Sequence, residues 1–180
     1  INEDCGSLYP ERTVSKVLEL RADIGIALDG DADRVVVIDE RGEIYDGDLL
    51  MWLCARDMHA RGRLANDTVV ATVMSNLGLE VALSSIGVEL ERTSVGDRYV
   101  VEAMRKGGHN LGGEQSGHIL FLDDSTTGDG IMSALQVLAL MARSGKQLSD
   151  LRDGFERFPQ VTVNIAVSEK RPLEELPSFL

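Results

Sequence analysis

Apolar and polar positions follow two rhythms along this chain, and the switches between them mark out its elements. From Pro10, which suits a first helical position, to about Arg21, the apolar positions Val14, Val17, Leu18 and the Arg21 stem recur every three or four residues. That spacing predicts a helix laid with one face on a sheet. Two apolar runs come next, Ile24-Gly25-Ile26-Ala27-Leu28 and Val35-Val36-Val37-Ile38, both read as strands. Arg41-Gly42 reads as a turn, after which Asp46 or Asp48 caps a helix to about Arg61, with Leu49, Leu50, Leu53 and Met58 inward and Trp52 packed beside them.

Residues 61–67 carry no periodicity, so a domain junction is expected there. The pattern then restarts with a β-rich run from Thr68 to Val73, a cap at Ser75, a short helix to about Ser85 and a strand from Leu90 to Thr93. A helix from Asp97 to Lys106 leads through Gly107-Gly108 towards Asn110 and Gly113, and Ile119-Leu120-Phe121-Leu122 reads as a buried strand. A long helix is expected from Gly128 to Ser144, with Ile131, Leu135, Leu138 and Met141 inward and Gly145 as its stop. A last helix over Leu148–Phe155 precedes a strictly alternating strand from Val161 to Val167, and Pro172 and Pro177 interrupt the residues beyond that strand. The sum is an α/β chain of mixed, mostly parallel sheets covered by helices, a design that binds ligands at the carboxyl ends of strands.

Composition narrows the function classes. A net charge of −12 without a cluster of Lys and Arg argues against a nucleic-acid or anionic-membrane surface. No apolar run approaches the roughly 20 residues that span a bilayer. The chain starts at Ile1, with no basic and apolar leader, so it is expected to be a piece of something longer. Cys5 and Cys54 lie far apart with no framework spacing, which points to a reducing cytoplasm.

The densest chemistry lies between the first two strands, in Asp29-Gly30-Asp31-Ala32-Asp33-Arg34. Three carboxylates in five residues repel one another unless a cation or protons neutralise them, and hard oxygen donors suit Mg²⁺ or Ca²⁺. An extended chain would hold the first and third about 13 Å apart, so the loop must curl, with Gly30 the residue free to take positive φ. A solvated acidic turn is the plain alternative. Two familiar patterns also compete for the loop. Asp29, Asp31, Asp33 and Glu40 fall at positions of a calcium EF-hand, although Arg34 stands where its glycine belongs and the flanks read as strands. A strand followed by Asp-x-Asp also resembles haloacid-dehalogenase-like phosphatases, where Asp33 would replace the usual Thr or Val.

A second dense stretch, Gly112-Gly113-Glu114-Gln115-Ser116-Gly117-His118, sets a carboxylate, an amide, a hydroxyl and an imidazole among glycines. It suits the several hydroxyls of a sugar, or forms an ordinary polar turn. Ser94-Val95-Gly96-Asp97-Arg98-Tyr99 opens a helix, where Arg98 and free amides could meet a phosphate, or where Asp97 simply caps. Thr126-Thr127-Gly128-Asp129-Gly130 opens the long helix and reads as a cap. His59 reads as a solvated helix residue and His109 as part of a turn.

Taken in this order, the four stretches resemble the α-D-phosphohexomutase superfamily over nearly the whole chain, and Gln115 with Thr126–Gly130 points to its glucosamine-phosphate branch. The resemblance implies interconversion of glucosamine 6-phosphate and glucosamine 1-phosphate through a phosphoserine and a bisphosphate intermediate, on the way to UDP-N-acetylglucosamine. Asp29, Asp31 and Asp33 would then hold Mg²⁺. Glu114, Gln115, Ser116 and His118 would face the sugar, and the catalytic residues would be Arg34, Asp97, Arg98 and His118.

The chain departs from the family at three points. Ala32 stands where many members have glycine, no serine lies in a Ser-His-Asn-Pro type of loop, and there is no Arg-x-Ser-Gly-Thr phosphate loop. The resemblance therefore implies the end of a second domain in residues 1–66, a third domain in 67–157 and the beginning of a fourth in 158–180. The implied partners are a phosphosugar and the rest of the same chain; a homodimer is left open.

Overall fold

The computed structural model describes residues 3–161 and 163. Helix α1 (Glu11–Leu20) leads into a three-stranded sheet of β1 (Ile24–Leu28), β2 (Val35–Asp39) and β3 (Ile44–Tyr45), ordered β1-β2-β3 and antiparallel throughout. Val17 of α1 packs on Ala27, Val36 and Ile38, and Gly25 lets the helix close down, since a Cβ there would lie 2.5 Å from Val17 Cγ2. Leu18, expected inward, is exposed. It flanks Gly42 at the rim of the sheet and does not sit beneath α1. Strand β3, too short to show a periodicity, is held by its buried tyrosine: the Tyr45 hydroxyl lies 3.2 Å from Asp39 Oδ2 and 3.1 Å from the Leu148 carbonyl.

Helix α2 (Gly47–Ala60), capped by Asp46, is buried on every side from Gly47 to Ala55. A helix apolar all round belongs in the middle of a structure, and α2 lies between the first sheet and a second one. The second sheet has the order β5-β4-β6-β7, built from β4 (Thr68–Thr72), β5 (Glu89–Thr93), β6 (Leu111–Gly113) and β7 (Ile119–Phe121). Helices α3 (Leu77–Ser85) and α4 (Asp97–Gly107) are the crossovers that make β4, β5 and β6 parallel, whereas β7 returns antiparallel beside β6. The α/β class thus holds. The mostly parallel pairing holds only among β5, β4 and β6 of the second sheet, because short connections between strands make hairpins and hairpins are antiparallel.

One hydrophobic cluster runs from Val35, Val37 and Tyr45 through Leu50, Trp52 and Leu53 to Val69, Ala71, Leu111 and Ile119. Among the described residues no break in the core falls at 61–67. Leu64 is buried there, and Asn110 ties the segment down by accepting from the Ala65 amide and donating to the Arg63 carbonyl, each at 2.9 Å.

Helix α5 (Gly130–Ser144) turns a different face inward from the one its largest side chains suggest. Ser133, Ala134, Val137 and Leu140 are buried, whereas Ile131 and Leu135 are more than half exposed. A helix with apolar residues on more than one side leaves its phase open, and small side chains let α5 approach α2 and β2 closely. Asn76, not Ser75, caps α3, with its side-chain oxygen accepting from the Gly78 amide.

The helix expected over Leu148–Phe155 is a single 3-10 turn at Ser149–Leu151, after which the chain runs irregularly. Gly154, at φ 91°, lies flat on Trp52, where a Cβ would come within 2.8 Å of the indole. Arg56 stacks over the same ring, 5.2 Å from its centre, and donates to the carbonyls of Leu151 and Asp153 at 2.6 Å each. The strand expected from Val161 to Val167, with Pro172 and Pro177 after it, lies largely outside the described residues. No helix among the described residues is long and apolar enough to cross a membrane.

Candidate functional site

Both dense stretches turn out to be hairpin loops. Leu28 pairs with Val35, so residues 29–34 connect β1 to β2, and Gly113 pairs with Ile119, so residues 114–118 connect β6 to β7. The first loop curls as its charges require. The Asp29 side chain accepts from the Arg34 amide at 3.1 Å, and the Ala32 amide donates back to the Asp29 carbonyl at 3.3 Å. The positive φ falls on Ala32, at 62°, and not on Gly30. An alanine thus takes a left-handed position that favours glycine. The Gly130 amide at the start of α5 donates to the Ala32 carbonyl at 2.9 Å, and there is no room for a Cβ on Gly130.

Asp29, Asp31 and Asp33 each offer an oxygen within 4.8 Å of the others. Partial burial, then the neighbouring Asp29, push the Asp33 carboxyl above its usual range, and His118 opposes them. An all-oxygen set with converging negative charge fits a hard divalent cation. Glu40, which a calcium EF-hand would need as a ligand, sits at the far end of β2 and binds the Ser149 hydroxyl. With strands on both flanks as well, the EF-hand reading fails.

The second loop is sewn onto the first sheet and onto α2. The Val35 amide donates to the Gly117 carbonyl at 3.1 Å, and the Gly47 amide to the Gln115 carbonyl at 3.0 Å. Gly117 takes φ 95°, and a Cβ there would strike the Val35 carbonyl oxygen at 2.1 Å. His118 is 4 % exposed, and its Nδ1 lies 2.9 Å from Asp33 Oδ2, so the two loops are cross-tied by a side-chain pair. Its Nε2 is buried with no partner among the described residues and lies against Gly128, where a Cβ would come within 2.3 Å.

Above this junction opens a cleft of about 390 Å³ lined by Arg34, Thr72, Met74, Glu114, Gln115 and Ser116, with Val95 at its edge. The Nε of Arg34 is buried without a partner among the described residues. Glu114 Oε1 accepts from the Gly96 amide at 3.1 Å, and Ser116 Oγ lies 3.5 Å from the other carboxylate oxygen. Gln115 turns inward and donates to Asp48 Oδ2 at 3.1 Å.

Asp97 and Arg98 lie outside the lining of this cleft. Both are exposed at the first turn of α4, where Asp97 accepts from the Arg98 amide at 2.7 Å, and Gly96 is their link to Glu114. Asp129 caps α5 by accepting from the Ile131 and Met132 amides, as the sequence suggested. Sequence reasoning missed Thr72, Met74 and Asn76 near the cleft, and saw Asp48 only as a cap. The available signal for Asp48 was a carboxylate inside a helix apolar all round, which has to be buried.

Two antiparallel hairpin tips, an acidic one from the first sheet and a glycine-rich, polar one from the mixed second sheet, converge and define a class. Residues 46–158 match the family described as phosphoglucomutase/phosphomannomutase, alpha/beta/alpha domain III. The chain belongs to this family. It is 58% identical over 180 residues to the phosphoglucosamine mutase of Nitratidesulfovibrio vulgaris, and 54% identical over 179 residues to that of Bdellovibrio bacteriovorus. These alignments cover 100% and 99% of this chain, and the chain spans only 40% and 39% of those relatives. Among solved structures, a phosphoglucomutase/phosphomannomutase family protein from Burkholderia thailandensis is similar with a TM-score of 0.74 and 27% identity, over 84% of this chain and 32% of that one. An Aspergillus fumigatus N-acetylphosphoglucosamine mutase, solved in complex with GlcNAc-6P and magnesium, shares the fold with a TM-score of 0.69 and 21% identity, over 94% of this chain and 40% of its own.

Proposed function

We propose that this chain is the central part of a phosphoglucosamine mutase, which interconverts glucosamine 6-phosphate and glucosamine 1-phosphate. The carrying observation is the cross-tie of the two hairpin tips by His118 and Asp33 beside a cleft where the Arg34 Nε has no partner among the described residues. The names of relatives 54% to 58% identical over the chain support the glucosamine branch. Asp29, Asp31 and Asp33 would hold Mg²⁺, which when bound supplies positive charge to an oxygen of the phosphoryl group. His118 keeps Asp33 oriented from behind, as partners of metal ligands do. Glu114 and Ser116 bind sugar hydroxyls, and Arg34 binds the migrating phosphoryl group, so positioning and placed charge carry the reaction.

The nucleophilic serine and the phosphate clamp belong to parts of the protein beyond this chain, and the 180-residue piece alone is inactive. We place the boundary between second and third domains at Asp46, where the family match begins, earlier than the junction expected at 61–67. Unpaired Cys5 and Cys54 support a cytoplasmic enzyme. The protein at its full natural length, supplied with Mg²⁺ and a bisphosphate primer, converts glucosamine 6-phosphate, and Asp31→Asn loses about 100-fold or more in kcat. Conversion of glucose or mannose phosphates alone moves the chain to another branch of the family, and release of free phosphate alone makes it a phosphatase. Measuring the intact protein's mass in solution tests for a homodimer.

A further inference from the structure

Asp48 is fully buried in the first turn of α2, yet Asp46 already caps that helix, so capping does not explain it. A carboxylate costs free energy to bury, and a helix N-terminus offsets only part of that. Its partners account for one of its two oxygens, Oδ2, while Oδ1 is buried without a partner among the described residues. Asp48 Oδ2 accepts from the side-chain amide of Gln115 at 3.1 Å and from the backbone amide of Asn76 at 2.8 Å. Asn76, 3 % exposed, in turn grips the backbone of Phe158 on both sides: its Oδ1 accepts from the Phe158 amide at 2.9 Å, and its Nδ2 donates to the Phe158 carbonyl at 2.8 Å. Gln160 adds a bond to the Met74 carbonyl at 3.2 Å, so the segment leaving the domain lies along the β4–α3 loop.

We propose that Asp48 is a positioning residue that locks two separate segments together. Through Gln115 it fixes the loop 114–118 at the cleft, and through Asn76 it fixes the chain at Phe158. One carboxylate oxygen serves both, so a displacement of either segment strains the grip on the other, and the coupling is reciprocal. Its meaning for sugar binding rests on the function proposed above; the coupling itself does not.

Hydrogen exchange resolved by peptide, on the protein at its full natural length, tests the coupling. Asp48→Ala speeds exchange at Gly96, whose amide reports Glu114, and at Phe158, each about tenfold or more. Val69 to Ala71 in β4 stay as protected as before, and Asp48→Asn, which keeps an acceptor oxygen, restores both sites. Faster exchange at only one of the two sites overturns the proposal, as does equal loosening of β4. Where Asp48→Ala does not yield folded protein, Gln115→Ala carries the test: faster exchange at Phe158 supports the coupling and unchanged exchange refutes it. With glucosamine 6-phosphate as substrate, Asp48→Ala raises KM about tenfold with a smaller change in kcat, and Asp48→Asn recovers KM; a fall in kcat alone counts against positioning. Wild-type protein that converts no phosphosugar removes the function and leaves the exchange result to decide on Asp48.

Discussion

Replacing Asp31 by asparagine removes one of three charges whose oxygens lie within 4.8 Å of one another, and keeps the shape of the side chain. At that separation two unit charges in water repel by about 0.9 kcal/mol. Asp31 takes part in two such pairs, giving about 2 kcal/mol, and screening over a Debye length of about 8 Å roughly halves this. Metal-free Asp31→Asn is therefore more stable than wild type by about 1 kcal/mol, or ~2–4 °C in Tm for a protein of this size. With Mg²⁺ the order reverses, because wild type gains about 2.7 kcal/mol at a hundred times its Kd and the variant gains little. The sign with pH comes from Asp33, whose carboxyl is raised by burial and by Asp29. A raised carboxyl destabilises the fold above its unfolded value of 3.8, increasingly until the folded value is passed, so the variant's advantage is greatest above that folded value, fades as pH falls from it towards 3.8, and is gone below 3.8. The assay is thermal unfolding at two salt concentrations, with and without Mg²⁺. A variant that melts at or below wild type in low salt without metal, or that responds to Mg²⁺ as wild type does, refutes this account of the loop.

Three further substitutions test other parts of the fold. Gly117→Ala drives a Cβ into the Val35 carbonyl at a positive φ, so we expect a loss of about 3 kcal/mol in denaturant unfolding and a weakened cleft loop. Cys5 is exposed, whereas burial pushes the Cys54 thiol up to about 12. A thiol reagent at pH 8 therefore titrates one cysteine in the folded chain and two after unfolding, and Cys5→Ser abolishes the fast phase. Burial by itself would raise the Glu40 carboxyl, but hydrogen bonds from the Ser149 side chain and backbone bring it below its ordinary 4.5. The stability it contributes is present above 4.5 and is lost as pH falls through the lower folded value, so Ser149→Ala removes this part of the acid limb in a pH series of melts.

The sequence made the acidic loop legible because two apolar runs bracket it, and it made the loop's curl legible because three carboxylates cannot stay apart and still share a cation. It did not show which residue turns the corner. Gly30 is the freer residue, yet hydrogen bonding of the Ala32 amide to Asp29 and of its carbonyl to Gly130 fixes the left-handed position on Ala32. Strand positions came through for β1, β2, β4, β5 and β7 but not for the short β3 and β6, and the expected parallel pairing held only among β5, β4 and β6, because alternation along a strand carries nothing about its neighbour. In α5 the large side chains Ile131 and Leu135 suggested the wrong face, since close packing favours small residues such as Ser133 and Ala134. The links among Asp48, Asn76 and Phe158 join positions far apart in the chain, and no local pattern records them.

Trp52 is the chain's single tryptophan, and it lies beneath Gly154 with Arg56 above its ring and its indole N–H buried without a partner among the described residues. That arrangement gives the molecule its own optical gauge. While residues 151–154 stay seated, the indole is dry and its emission is blue; lifting that segment lets water reach the N–H and shifts the emission to the red. Seating of residues 151–154 can therefore be followed in solution, without a label, from the colour of one residue.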